Sequence, residues 1–170
     1  TNYDLSLGVS DHNQSDVIVP LAIEPTVIPS SCFNTNDGQA SITIDGGVAP
    51  YDVVWSDPDS QTGLTAINLF PGVYNVTITD DGGIQVTIPV TIPSPDPIIV
   101  ISSNITDVSC NGGDDGAITI TQIIGGVGTY TTDWLGSDTT GLVADTYNYQ
   151  ITDSLGCVIE GDLVVDQPDI

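Results

Sequence analysis

The feature that most constrains this chain is that its sequence repeats itself. The matched positions recur in the same order in both copies: residues 32–38 (CFNTNDG) with 110–116 (CNGGDDG), Gly46-Gly47 with Gly125-Gly126, Trp55 with Trp134, and residues 72–80 with 145–153. The second copy is shorter between its Trp and its Tyr. Ordered internal matches are the signature of tandem structural units. We therefore predict two complete copies of one small domain.

The amino-terminal segment resembles the end of another copy. Residues 17–23 (VIVPLAI) overlay residues 86–92 (VTIPVTI) near the end of the first complete copy. We divide the chain into residues 1–24 as the carboxy-terminal part of a preceding repeat, 25–94 as repeat 1 and 95–170 as repeat 2. An alternative is that residues 1–24 form a donor strand that completes the sheet of a neighbouring subunit.

Alternation of apolar and polar residues predicts the secondary structure. Segments such as 40–44 and 147–151 alternate with period two and are rich in Thr, Val, Ile and Tyr, while Gly, Pro, Asn and Asp separate them. Short strands in units of this size predict an all-β fold, with tandem immunoglobulin-like antiparallel β-sandwich repeats arranged in an elongated rod. We expect Trp55 and Trp134 in the cores, and a stiff joint at the prolines 93, 95 and 97.

The charge excludes two classes of partner. The chain has 23 acidic residues and no Lys or Arg, so its formal net charge is −23. Nucleic acid binding needs Lys or Arg to neutralise phosphates, and an anionic membrane repels such a surface. No apolar run is long enough to span a bilayer, so we expect no nucleic acid partner and no membrane insertion. Trypsin-like proteases find no cleavage site, which suits an extracellular location.

Catalytic patterns are nearly absent from the sequence. His12 is the only histidine, and it lies in a polar segment without a neighbouring cysteine. Among the many Asp residues, no spacing singles out a pair for acid and base catalysis. We therefore expect that the chain is not an enzyme, with no catalytic residue.

The motif of the second copy resembles a known family. It runs CNGGDDGAITI, then Gly-Gly, a Tyr and a Trp, and closes with a Tyr-containing strand, Thr-Asp and Gly-Cys over residues 110–157. This pattern is similar to the SprB-type repeat of bacterial cell-surface and gliding-motility adhesins. In repeat 1 the resemblance is weaker, because Ile84 replaces the closing cysteine. The resemblance implies a β-sandwich module repeated many times in a secreted filament or stalk for cell adhesion on the bacterial cell surface.

The cysteines suggest one disulfide. Cys110 and Cys157 flank repeat 2, and an immunoglobulin-like sandwich would let them meet, so we predict a bond between them. Cys32 is then left as a small buried apolar residue or, alternatively, as an intermolecular cross-link.

Calcium is the ligand that the acidic loops suggest. Oxygen side chains cluster near glycines that permit tight wrapping, as hard cations require. Turns stabilised by Asp without any metal are the alternative. The candidate ligands of Ca²⁺ are Asn34, Asp37, Asp80, Asp81, Asn111, Asp114, Asp115 and Asp153.

Glycosylation is a further expectation. Three sequons occur in the chain, and two Asp-Ser/Thr triplets resemble O-glycosylation sites of bacteria that carry such adhesins. The candidate sites are Asn13, Asn75, Asn104, Thr139 and Ser154.

Three functions are compatible with these features. The first is a structural stalk segment of an extracellular bacterial adhesin, whose partners are neighbouring repeats of the same or an identical chain, with surface polysaccharide as a further partner. The second is a filament subunit that polymerises by strand exchange through residues 1–24. The third is a carbohydrate-binding module with an exposed tryptophan as a sugar platform.

Overall fold

The structure, a computed structural model, describes residues 20–169 and forms twelve β-strands and no helix in that range. The strands of repeat 1 are β1 (Ala22–Ile28), β2 (Gly38–Asp45), β3 (Tyr51–Trp55), β4 (Thr65–Leu69), β5 (Gly72–Asp80) and β6 (Gln85–Ile92). The strands of repeat 2 are β7 (Ile99–Thr106), β8 (Gly116–Ile124), β9 (Thr131–Asp133), β10 (Thr140–Leu142), β11 (Asp145–Thr152) and β12 (Val158–Val165).

The two repeats share one topology. In repeat 1 the sheet β1-β2-β4 faces the sheet β3-β5-β6, and in repeat 2 the sheet β7-β8-β10 faces the sheet β9-β11-β12. All pairings are antiparallel. This order is that of an immunoglobulin-like sandwich reduced to six strands, so the predicted fold class is confirmed. The elongated rod stays a prediction.

A tyrosine hydrogen bond marks the same corner in both repeats. The hydroxyl of Tyr74 in β5 donates to the carbonyl of Phe70 at 2.9 Å, and that of Tyr147 in β11 donates to the carbonyl of Val143 at 3.0 Å. Such a bond from a central strand to the chain just before it is typical of immunoglobulin-like sandwiches. The corner fixes the connection that crosses from one sheet to the other.

Alternation along the central strands builds the core. Ala40 and Ile42 of β2 face Val76 and Ile78 of β5 between the sheets, and all four are buried. The residues between them on each strand are more exposed, because successive side chains of a strand point to opposite faces. Burying one such aliphatic side chain stabilises the fold by about 1.5–3 kcal/mol.

The boundary before repeat 1 needs a correction. β1 pairs with β2 from Ala22 onward, and Leu21 and Ile23 pack against the core of repeat 1. Residues 21–24 therefore belong to repeat 1 and not to a preceding unit, because Leu21 packs against its core and residues 22–24 are part of its first edge strand. The assignment of residues 1–19 to a partial repeat or a donor strand lies outside the described residues.

Candidate functional site: the junction between the repeats

A short proline-rich linker joins the repeats. Residues 93–98 connect β6 to β7 without regular structure, and their prolines restrict the backbone to extended conformations. The first linker carbonyl, that of Pro93, accepts a hydrogen bond from the backbone N–H of Ser30 at 3.0 Å. That bond fastens the start of the linker to the loop after β1.

The end of the linker is fastened to repeat 2. The carbonyl of Asp96 accepts a hydrogen bond from the backbone N–H of Gly126 at 2.9 Å. The neighbouring Gly125 has a φ of 78°, and a Cβ there would overlap the carbonyl of Pro97. The Gly-Gly pair of the repeat motif is therefore required where the linker passes closest to the turn after β8.

A disulfide crosses the junction. It joins Cys32, in the loop between β1 and β2 of repeat 1, to Cys157, in the turn between β11 and β12 of repeat 2. The Cα atoms of the two residues lie 5.5 Å apart, which is within the usual range for a disulfide. The bond closes a loop with a sequence separation of 125. On the chain-entropy estimate, closing a loop of that length stabilises the folded chain by about 5 kcal/mol.

The predicted bond between Cys110 and Cys157 is therefore wrong, and so are both predictions for Cys32. Within repeat 2, Cys157 directly precedes β12, whereas Cys110 lies beside the residues that follow β12. The eight residues of β12 span about 26 Å. Disulfide Cα atoms lie within about 7 Å of each other, so two cysteines at opposite ends of one sandwich cannot pair.

The disulfide is also part of the packing of repeat 2. Cys157 is only 7 % exposed and belongs to a core cluster with Ile98, Tyr149 and Ile151, and Cys32 packs against that cluster from the other repeat. The core of repeat 2 thus extends to a residue of repeat 1.

Little else holds the two sandwiches together. Among the described residues, every extensive contact between strands lies within one repeat. Beside the disulfide, a cleft of about 320 Å³ separates the loop of Phe33 and Thr35 from Val158 and Ile159 at the start of β12. The relative position of the repeats therefore depends on the disulfide and the linker, because no broad packed interface supports it.

The loop that presents Cys32 is stabilised by its own hydrogen bonds. We call residues 30–37 the Cys32 loop. The carboxylate of Asp37 accepts hydrogen bonds from the backbone N–H of Ser31 at 3.0 Å and from the hydroxyl of Thr35 at 2.9 Å. These hydrogen bonds hold the pKa of Asp37 below its ordinary value, and those from Ser31 contribute most.

Asp153 holds the turn that carries Cys157. Its buried carboxylate accepts hydrogen bonds from the backbone N–H groups of Val127 at 2.8 Å, and of Leu155 and Cys157 at 2.9 Å each. Burial alone would raise the pKa of Asp153, but the hydrogen bonds outweigh it and hold the pKa below its ordinary value. The charged carboxylate is therefore a structural anchor of the junction.

Repeat 1 has the same anchor without the cysteine. The carboxylate of Asp80 accepts hydrogen bonds from the backbone N–H of Val48 at 3.0 Å and of Ile84 at 2.7 Å. Ile84 thus occupies the position of Cys157, and its side chain is 55 % exposed. We call this position the closing position of each repeat.

Four of the carboxylates predicted to bind Ca²⁺ accept hydrogen bonds within their own turns. In residues 20–169, no three His, Cys, Asp or Glu side chains are grouped closely enough to hold a metal ion. The carboxylates of Asp37, Asp80, Asp115 and Asp153 instead accept backbone N–H groups of their own turns. The other candidates, Asn34, Asp81, Asn111 and Asp114, are at least partly exposed in the same turns. Calcium binding by these turns stays a prediction.

The glycosylation candidates lie in several places. Asn75 in β5, Asn104 in β7 and Ser154 after β11 are exposed, whereas Thr139 is half-buried and Asn13 lies outside the described residues. The hydroxyl oxygen of Ser154 accepts a hydrogen bond from the backbone N–H of Thr129 at 2.8 Å. Glycosylation stays a prediction at all five positions.

The tryptophans differ in their surroundings. Trp55 is 1 % exposed, and its indole N–H donates to the carbonyl of Gly63 at 3.0 Å. Trp134 is half-buried and packs edge-on against Tyr149, with 5.7 Å between the ring centroids. The prediction of a core tryptophan is confirmed for Trp55, which is not available as a platform for a sugar.

Comparisons with known proteins match the repeat pattern. The SprB repeat model matches this chain twice. The matches cover residues 25–60 and 102–139, one in each sandwich, which confirms the resemblance drawn from the motif. No curated protein sequence matches significantly.

One of several similar solved structures contains eight Ig domains. It is the crystal structure of the N-terminal eight Ig domains of Down Syndrome Cell Adhesion Molecule (DSCAM) isoform 1.30.30, with 13 % identity and a TM-score of 0.35. The alignment covers 86 % of this chain and 25 % of that one, so this chain spans a quarter of its length. The structure has no helix in its described residues that is long and apolar enough to cross a membrane.

The disulfide across the junction was not predicted, although the sequence carries a signal for it. Ile84 occupies the closing position of repeat 1, so Cys32 has no possible partner within its own repeat. In a sandwich, the loop after the first strand and the turn before the last strand lie at opposite ends. Together these two facts favour a partner for Cys32 in the following repeat.

Proposed function

We propose that this chain is a structural stalk segment of an extracellular bacterial surface adhesin, in which the Cys32–Cys157 disulfide carries tension past the folded repeats. The observation that supports the proposal most is the position of the bond, which crosses the junction and joins two cysteines close in sequence to the two ends of the described chain. The two matches to the SprB repeat support the assignment to the class of surface adhesins.

The disulfide shortens the path of an applied force. Tension on the two ends of the described chain first reaches β1 and β12, which are the edge strands next to Cys32 and Cys157. Beyond these strands the force passes through the covalent S–S bond. The chain between the cysteines, with a sequence separation of 125, is therefore not extended even if its sheets separate.

Three properties suit this role outside the cell. Disulfides form and persist in oxidising compartments and are rare in the cytosol. The absence of Lys and Arg leaves trypsin-like proteases without a cleavage site. The net charge of −23 keeps neighbouring stalks apart by mutual repulsion.

Single-molecule pulling on the full chain tests the proposal. With handles at both termini, we expect the oxidised chain to extend only by the segments outside the disulfide. After reduction, unfolding should release the enclosed residues, about 400 Å of additional contour length at about 3.3 Å per residue. The Cys110→Ser variant is the matched control and should behave as the unmodified chain does.

Two results would contradict the proposal. An oxidised chain that extends as far as the reduced one would show that the disulfide does not bear the load. A Cys32→Ser variant that keeps the short extension would place the load elsewhere.

A further inference from the structure

Cys110 occupies in repeat 2 the position that Cys32 occupies in repeat 1. We call residues 108–115 the Cys110 loop. Two of its hydrogen bonds are equivalent to hydrogen bonds in the Cys32 loop. The N–H of Ser109 donates to the carboxylate of Asp115 at 2.8 Å, and the N–H of Gly113 donates to the carbonyl of Cys110 at 2.9 Å. In the Cys32 loop the corresponding donors are Ser31 and Thr35.

The cysteines of the two loops differ in what they bind. Cys32 is joined to the closing position of the following repeat, whereas Cys110 is the free cysteine of the described residues and is exposed. The disulfide of Cys32 thus shows, within the same molecule, what a cysteine held in this loop bonds to.

The residues after the last strand of each repeat make an equivalent backbone hydrogen bond. The backbone N–H of Val108 donates to the carbonyl of Asp166 at 3.0 Å, as that of Ser30 donates to the carbonyl of Pro93. Two residues after Asp166 the sequence is Pro168-Asp169, which matches Pro95-Asp96 of the linker. The carboxyl-terminal end of repeat 2 therefore shares with that of repeat 1 a cysteine loop, a backbone hydrogen bond and a Pro-Asp pair, although Asp166 and Ile170 stand where the linker has Pro93 and Pro97.

We propose that Cys110 forms a disulfide with the closing cysteine of a further repeat of the same kind that follows repeat 2. This inference rests on the proposed function in one respect, because it requires a longer array of repeats. The resulting cross-links would interlock, since the second bond starts within the loop that the first one closes. Two neighbouring repeats could then be pulled apart only by breaking an S–S bond.

The chemistry needs an oxidant of the protein-disulfide class. The Cys110 thiol loses its proton, and the thiolate attacks the disulfide of the oxidant to form a mixed disulfide and release one thiolate of the oxidant. The deprotonated closing cysteine then attacks the Cys110 sulfur and expels the second thiolate. Two protein thiols are oxidised to one disulfide, two electrons reduce the oxidant to a dithiol, and the two protons end on that dithiol.

The sequence of repeat 1 sets a limit to the cross-links. Its closing position holds Ile84, whose exposed side chain cannot bond to a preceding repeat. Repeat 1 can therefore be joined by a disulfide of this kind only to the repeat that follows it.

A chain extended by one copy of repeat 2 tests the proposal. Residues 98–170 are appended directly after Ile170, which reproduces the length of the linker from Pro93 to Ile98. After oxidation by a disulfide-exchange catalyst, we expect one free thiol per chain and a linkage between Cys110 and the appended closing cysteine. Thiol titration in denaturant counts the thiols, and mapping after cleavage at Asp identifies the linkage.

A second variant guards against an appended copy that fails to fold. Here residues 21–93 are appended instead, with Ile84→Cys restoring the closing cysteine in the repeat that has the continuous core. We expect this appended cysteine to pair with Cys110. The matched control keeps Ile84 and should leave Cys110 free.

The outcomes separate this proposal from the proposed function. If Cys110 stays free in both extended chains, or pairs with Cys110 of a second molecule, the inference is overturned. The pulling result on the Cys32–Cys157 bond would stand in either case.

Discussion

Repeat 1 and repeat 2 have the same topology but different cores. In repeat 1, ten buried residues form one cluster around Trp55. In repeat 2, the buried residues divide into two clusters of four, and the half-buried Trp134 packs against both. The same strand order thus encloses a continuous core in repeat 1 and a divided core in repeat 2.

The difference arises in the third and fourth strands of each sandwich. β3 and β4 have five residues each and bury Val53, Trp55, Ala66 and Leu69. β9 and β10 have three residues each, and of these only Leu142 is buried. Repeat 2 is shorter between its Trp and its Tyr, and β10, which lies in that segment, is shorter than β4.

The disulfide adds packing to the repeat with the divided core. Repeat 1 is stabilised by a continuous core, whereas repeat 2 adds Cys157 and the half-cystine of its neighbour to one of its two clusters. Repeat 2 therefore depends more on the junction than repeat 1 does.

The largest expected effect comes from the tryptophans. Trp55→Ala should destabilise repeat 1 by about 3–5 kcal/mol, because it leaves a large cavity in a continuous core. Trp134→Ala should cost about 1–2 kcal/mol, because a half-buried side chain returns less apolar surface to water on unfolding. Urea unfolding followed by circular dichroism measures both losses.

Each tryptophan variant carries its own control. The remaining indole reports on the other repeat through its fluorescence, and its transition should move less than that of the repeat that carries the substitution. Equal losses for the two variants would contradict the difference between the cores.

Acid should weaken the junction of repeat 2 through Asp153. The folded pKa of Asp153 lies below its ordinary value, so the stabilisation is complete above the unfolded pKa and is lost as the pH falls through the folded pKa. We expect the melting temperature reported by Trp134 to fall over that acidic range. Asp153→Asn should lower this temperature at neutral pH and flatten its dependence on pH.

The control for this experiment is Asp138→Asn, which changes an exposed Asp of the same repeat. It should leave the pH profile as it is in the unmodified chain. A steep acid transition that survives Asp153→Asn would assign the pH dependence to other carboxylates.

The smallest expected effect should be the same in both repeats. Tyr74→Phe and Tyr147→Phe each remove one hydroxyl that donates to a backbone carbonyl, at a cost of about 1 kcal/mol. Thermal unfolding of the two variants measures it. Clearly unequal costs would show that the shared topology does not make the two corners equivalent.

The alternation of apolar and polar residues predicted the strands, because it reflects the way in which neighbouring side chains of one strand point to opposite faces. Alternation along residues 40–44 and 147–151 places one face of each strand in a core, and the strands β2 and β11 lie there. The same reasoning correctly placed Trp55 in the core. For Trp134 it did not show how much side chain stays exposed, because that depends on the length of β9 and β10 and on what lies across from them.

The candidate site was predicted less well, because it joins residues that are far apart in sequence. The acidic turns were correctly located, but the sequence did not show that their carboxylates accept hydrogen bonds from backbone N–H groups of the same turns. Whether an Asp oxygen points into its turn or toward a neighbour is decided by the geometry of the turn, which composition does not reveal.

The amino-acid sequence alone was sufficient for the number of repeats, their strands and their resemblance to the SprB repeat, because periodic patterns act over a few residues. Only the tertiary structure decided which cysteines meet. The choice between Cys110 and Cys32 as the partner of Cys157 depends on which ends of the two sandwiches face each other across a linker of six residues, 93–98. A disulfide forms only between Cα atoms a few ångströms apart, so that placement settles the pairing.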